Sequence, residues 1–255
     1  MKTAPIILVT VLLLLFASSC DIVTGSGETI TWEMDYMDFT GVDIGSSFEA
    51  TITRADNYSV TITVDKSLTE YLRAEQRGNT LHIGLKPGYT YANAEHRARI
   101  TMPDLRGLAL SGAADVKVSG FSSGNAVDFR LSGASVLDIA GMTAGDAVFE
   151  LSGTSEVTGK ITMNNGKLGL SGASFVELEG TAQEMEFAAS GGSKFSLPGF
   201  SVNAAAVDLS GASSAYINVI SRIEIKLSGA SELTYAGDPK VGSIDISSGS
   251  TVNRK

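Results

Sequence analysis

Leu131-Ser132-Gly133-Ala134-Ser135, Leu170-Ser171-Gly172-Ala173-Ser174, Leu209-Ser210-Gly211-Ala212-Ser213 and Leu227-Ser228-Gly229-Ala230-Ser231 are copies of one phrase. Variants stand at Leu110-Ser111-Gly112-Ala113-Ala114, Leu151-Ser152-Gly153-Thr154-Ser155, Ala189-Ser190-Gly191-Gly192-Ser193 and Ile246-Ser247-Ser248-Gly249-Ser250. The first serines are separated by 21, 20, 19, 19, 20, 18 and 19 residues. So steady a period marks a repeat architecture.

Alignment on the first serine shows what each position does. One residue before it the column reads Leu110, Leu131, Leu151, Leu170, Ala189, Leu209, Leu227, Ile246. Three before it are Leu108, Phe129, Phe149, Leu168, Phe187, Val207, Ile225 and Ile244. Five after it are Val116, Leu137, Val157, Val176, Phe195, Ala215, Leu233 and Val252. Apolar residues at every second position mean strands with one inward face. Each repeat therefore holds two short strands joined by a tight Ser-Gly-Ala-Ser turn, in which glycine supplies positive φ. A unit this short cannot bury its apolar face alone, so units must stack. The expectation is an all-β, single-stranded β-helix-type solenoid of about eight rungs, 18–21 residues each, over residues 105–255. At the ordinary strand spacing the column is ~34 Å long. Leucine-rich repeats lack the required Asn or Cys anchor here, and propeller blades need a longer period.

The serine columns read as turn-stabilising hydroxyls, bonded from rung to rung and to turn backbone. The alternative is a polar stripe that binds sugars. Outward columns carry charge instead: Asp208, Lys226 and Asp245 alternate in sign on successive rungs, and Lys167 faces Glu186. Opposite charges on neighbouring strands favour that register.

The whole chain has 255 residues, 19 Lys plus Arg against 28 Asp plus Glu, and a net charge of -9. An acidic surface repels a phosphate backbone, so no nucleic-acid partner is expected. One cysteine excludes an intrachain disulfide framework and a Cys-based zinc site, and two histidines leave little for a metal cluster. No metal or other cofactor is expected.

Residues 1–19 read as an export signal. Lys2 opens a short basic region, and the apolar run 6–16 is too short to span a bilayer. Small residues Ala17-Ser18-Ser19 then precede Cys20, in a pattern that resembles the lipobox of bacterial lipoproteins. The expectation is a lipid on Cys20, a tether over 20–27, and an outer-membrane lipoprotein of the cell envelope. Several acyl chains would make that attachment durable.

Residues 28–104 alternate like strands, as in Ser47-Phe48-Glu49-Ala50-Thr51-Ile52-Thr53 and Arg97-Ala98-Arg99-Ile100-Thr101-Met102, but lack the phrase. They are expected to cap the column or to form its first irregular rungs, with residues 67–75 as a helical turn or a loop. Phe48-Glu49-Ala50-Thr51-Ile52, Leu81-His82-Ile83, Ile100-Thr101-Met102-Pro103-Asp104-Leu105 and the serial Leu-Ser-Gly-Ala-Ser phrases resemble the putative auto-transporter adhesin, head GIN domain family. The resemblance covers roughly residues 38–252. It implies a secreted or lipid-anchored protein with a right-handed β-helix-like fold. It brings no catalytic or binding residues with it.

Enzyme chemistry has few candidates. Asp115, Asp138, Glu156, Glu177 and Glu179 point outward from one pair of columns. Asp138 and Glu156 fall on adjacent rungs and are the pair to examine for a polysaccharide hydrolase or lyase. Lys117 and Lys160 stand nearby, so scattered surface charge is the simpler account. His82 and His96 read as ordinary strand residues. Trp32 to Phe39, an acidic aromatic stretch, could meet a sugar or be buried against the cap. Phe175 and Tyr216 sit in outward columns as weak ligand candidates. The expected function is a non-catalytic, adhesin-like binding module, with membrane contact through its lipid and a surface glycan or protein as partner. The alternative is a carbohydrate-active surface protein.

Overall fold

The structure, a computed structural model, describes residues 21–255. The expected signal peptide and Cys20 lie outside the described residues.

Strands Gly107–Leu110, Val127–Leu131, Ala147–Leu151 and Asn165–Leu170 stack in parallel in that order. The stack continues through the C-terminal halves of Phe175–Ala189, Lys194–Leu209 and Ser214–Leu227 to Lys240–Ile246. A second stack follows the Ser-Gly turns, from Asp115–Ser119 and Val136–Thr143 to Glu232–Ala236 and Thr251–Arg254. Thr143, Thr162, Thr181 and Ser201 come into register on a third side. The eight copies of the phrase are thus joined by about seven turns of a β-solenoid.

Its register is the one the columns demand. Leu110, Leu131, Leu151 and Leu170 are direct neighbours, as are Leu108, Phe129, Phe149 and Leu168. The rings of Phe129 and Phe149 stack 4.7 Å apart inside the column. Each such side chain, once buried, contributes ~1.5–3 kcal/mol.

The turn demands glycine for two reasons. Gly153 has φ +76°, and a Cβ there would stand 2.4 Å from the carbonyl oxygen of Gly133 in the rung below. That same oxygen accepts the N–H of Thr154 at 2.8 Å. A side chain would break both the turn and the contact between rungs.

The N-terminal region adds rungs and a cap together. Its strands are β1 (Asp21–Thr24), β2 (Thr29–Met34), β3 (Gly41–Ile44), β4 (Glu49–Arg54), β5 (Ser59–Asp65), β6 (Leu72–Arg77), β7 (Thr80–Leu85), β8 (Tyr89–Ala92) and β9 (His96–Met102). β3 and β4 pair with the first repeat strands, Gly107–Leu110 and Asp115–Ser119. β7 lies outside β3 and β9 outside β4, both parallel. The chain thus lays its second rung beyond its first, then returns to begin the repeats. Antiparallel β6 borders β7, antiparallel β5 borders β9, and β2 borders β5. These strands cover the end of the core, where Leu81, Ile83 and Ile100 are buried. In residues 67–75 only a short 3-10 turn, Lys66–Leu68, precedes β6.

One expectation is corrected. Residues 21–24 are not a tether, because β1 pairs in parallel with β8, Asp21 facing Tyr89 and Thr24 facing Ala92. The next residues are fastened as well. Asp65, 1% exposed, accepts the N–H groups of Ser26 and Gly27 at 2.9 and 2.8 Å. Chain that leaves position 20 is therefore structured at once.

Candidate binding surface

The phrase contains two serine columns, and they differ. Ser135, Ser155, Ser174, Ser193, Ser213 and Ser231 are buried. Ser135, Ser155, Ser174 and Ser213 each donate to the carbonyl of the serine three residues earlier at 2.8 Å. This inner column is structural, as expected. The first serines face outward. Ser132, Ser152, Ser171 and Ser210 donate to a carbonyl of the previous rung at only 3.2–3.4 Å. Those are long for hydroxyl bonds. Such hydroxyls are loosely held and open to solvent.

The outer serines from Ser111 to Ser210 line a groove of about 730 Å³ that crosses successive rungs. Its origin lies in the outward column two residues before each serine. That column reads Ala109, Arg130, Glu150, Gly169, Ala188, Asp208 and Lys226 in register. Gly169 and Ala188 leave a gap between charged side chains, and the gap is the groove's floor. The alternation seen in the sequence had pointed to the charges. The two small residues between them were the overlooked signal.

The walls are paired charges. Arg130 donates to Glu150 at 3.1 Å, and Lys226 to Asp208 at 2.8 Å. The hydrogen bond to Asp208, with its charge, raises the pKa of the Lys226 ammonium. Lys160 is raised in the same way by Glu179 on the next rung. Glu150 and Asp208 lie three strand steps apart, ~14 Å. Direct glycoside hydrolysis needs carboxylates about 5–10 Å apart.

Asp138 and Glu156 do come near each other, on a different face. Asp138 faces Thr158 and Glu156 faces Val136, a diagonal of about 7–8 Å. Lys117 holds the Asp138 carboxylate at 2.9 Å, and that side chain is 42% exposed on an open sheet. Lys117 thus occupies the Asp138 carboxylate. Among the described residues no three His, Cys, Asp or Glu side chains gather to hold a metal.

The remaining candidates separate. His82 pairs with Asp43 at 3.0 Å. His96 donates from Nδ1 to the Ala94 carbonyl and lies edge-on to Phe48. Phe39 is buried, Tyr36 donates to the Ala74 carbonyl, and Trp32 packs partly against the core. That stretch therefore serves the cap. Phe175 lies under Lys194 and Tyr216 under Lys255, at 5.9 and 5.2 Å. Neither aromatic borders the serine groove.

The sequence profile of the putative auto-transporter adhesin, head GIN domain family matches residues 38–239. The chain belongs to this family. Proteins of the same fold stand among solved structures. A putative lipid binding protein from Parabacteroides distasonis superposes with TM-score 0.88 at 18% identity, over 92% of this chain and all (100%) of its own. A putative adhesin from Parabacteroides merdae gives TM-score 0.85 at 17% identity, over 92% of this chain and 99% of its own. One from Bacteroides fragilis gives 0.70 at 19%, over 91% and 100%. At such identities the likeness establishes the fold. A search of curated proteins found no significant match. Among the described residues no helix is long and apolar enough to cross a membrane.

Proposed function

We propose that this head GIN protein is a non-catalytic, adhesin-like binding module of the cell envelope, anchored by a lipid on Cys20. Its ligand is a surface glycan that lies across the rungs in the serine groove. The observation that carries the reading is the gap at Gly169 and Ala188 beneath a row of loosely bonded hydroxyls. Sugar hydroxyls exchange hydrogen bonds with serine hydroxyls and with charged rims. An open groove edged by serine hydroxyls and paired charges suits such a chain better than an acyl tail, which needs an enclosed apolar pocket. The column interior is already filled by its own side chains. The adhesin descriptions of the family and of the Parabacteroides merdae and Bacteroides fragilis proteins agree with this role.

The anchor follows from the signal pattern and from Cys20 at its end. β1 begins at the next residue, so the anchor holds the cap end of the column close to the bilayer and the groove stands outward. A glycan-array screen of residues 21–255, with every hit checked for cleavage, tests the ligand. Binding without products supports the reading. Cleavage would return attention to Asp138 and Glu156, and an array without hits would reject the glycan.

A further inference from the structure

The two ends of the column are unlike. At the first end, antiparallel strands cover the core. At the other, strand Lys240–Ile246 pairs, among the described residues, only with Ser214–Leu227, which leaves its far edge open. Val241, Ile244 and Ile246 occupy inward columns there, yet they are 36%, 56% and 42% exposed. Their neighbours one rung earlier, Ile223, Ile225 and Leu227, are 0%, 2% and 1% exposed. A bare strand edge backed by apolar side chains is a template for pairing with another strand.

The edge is complementary to itself. Lys240 lies beside Arg222 and Asp245 beside Lys226, both in outward columns. Val241 and Ile244 lie beside Ile223 and Ile225, both in inward columns. Between them Gly242 and Ser243 form a bulge, where the register shifts. A two-fold axis through that bulge sets Lys240 opposite the partner's Asp245 and Val241 opposite the partner's Ile244. Opposed residues of an antiparallel pair share a face. Each charge then meets its opposite on the outside, and each apolar residue meets another within. Neither Lys240 nor Asp245 has an ion pair within 4.0 Å among the described residues. The remainder of the molecule favours this place for contact. The whole chain carries -9, while residues 240–255 hold Lys240, Arg254 and Lys255 against Asp245 alone. Two acidic molecules repel least at this end.

We propose that the open end is a homophilic contact, in which strand Lys240–Ile246 pairs antiparallel with the same strand of a second copy. The resulting interface is isologous and closed, so it makes dimers and not fibres. Taken with the anchor reading on which this consequence rests, the two lipids lie at opposite ends of the dimer. Copies on facing membranes would then be joined head to head. The pairing itself needs neither the lipid nor the glycan.

Sedimentation velocity of residues 21–255, which contain every described strand, tests it. The expected result is a reversible dimer. Lys240→Glu and Asp245→Lys each place like charges opposite one another and weaken it by about tenfold or more. The double variant Lys240→Glu/Asp245→Lys restores it. Both side chains are exposed, and Trp32 fluorescence verifies that each variant is folded. A protein that stays monomeric at all concentrations overturns the proposal, as does a dimer indifferent to both reversals or one the double variant fails to restore. These results are independent of membrane fractionation and of glycan binding, so the failure of either function leaves this test intact.

Discussion

Asp65 holds Ser26 twice: its Oδ1 accepts both the backbone N–H, at 2.9 Å, and the hydroxyl, at 2.8 Å. Its other oxygen takes the N–H of Gly27, and Oδ1 also receives that of Ser67. One carboxylate thus fastens Ser26 and Gly27 to the cap and starts the turn Lys66–Leu68. Hydrogen bonds to the ionised form, that from the Ser26 backbone foremost, hold its pKa well below the usual carboxylate value. A folded pKa below the unfolded one gives stability that is present above about pH 4 and lost as pH falls further. Asp65→Ala should lower the thermal midpoint by several degrees and open residues 21–28 to proteolysis. The variant should also lose less stability than wild type between pH 5 and pH 3, roughly the window set by that unfolded value. Urea titrations across that range check the sign.

The turn glycines should resist any side chain. In Gly153→Ala the new Cβ meets the Gly133 oxygen at φ +76°. Strain and overpacking together cost on the order of 3 kcal/mol. Denaturant melts should show that loss, while Gly169→Ala, whose Cβ would have 3.8 Å to its nearest neighbour, should change stability little.

The two serine columns should separate in function. Ser174→Ala removes a buried hydroxyl bonded at 2.8 Å and should cost about 1 kcal/mol of stability. Ser171→Ala removes a weakly bonded outer hydroxyl. It should leave the melting curve near wild type and weaken ligand binding. A reversed pattern would move the binding surface off this corner.

If Cys20 carries the lipid, Cys20→Ser should release the protein from membranes into the soluble fraction. Undiminished membrane fractionation of that variant would remove the anchor from the account.

Much of this was legible because a solenoid converts a sequence period directly into neighbours in space. The Leu110–Ile246 column and the alternating charges at Asp208, Lys226 and Asp245 are strand register written linearly. The early rungs were harder to read. β3 ends at Ile44 and runs into Gly45-Ser46-Ser47, a degenerate copy of the phrase, and Ile44 pairs with Leu110. Ser46 and Ser47 adopt positive φ without the turn glycine, which hid it. β1 has four residues and no period, so only its partner β8 makes it a strand. The groove depends on Gly169 and Ala188, and small residues announce themselves only beside larger neighbours in three dimensions.

The most direct test of the binding surface is a titration of one array-selected glycan against wild type and Ala188→Arg, with the sugar analysed for products afterwards. Ala188 is exposed on the groove floor, so arginine fills the gap without entering the core. The account predicts intact sugar and an affinity at least about tenfold weaker for the variant, ~1.4 kcal/mol. Equal affinity for the two proteins, or cleaved sugar, would contradict it.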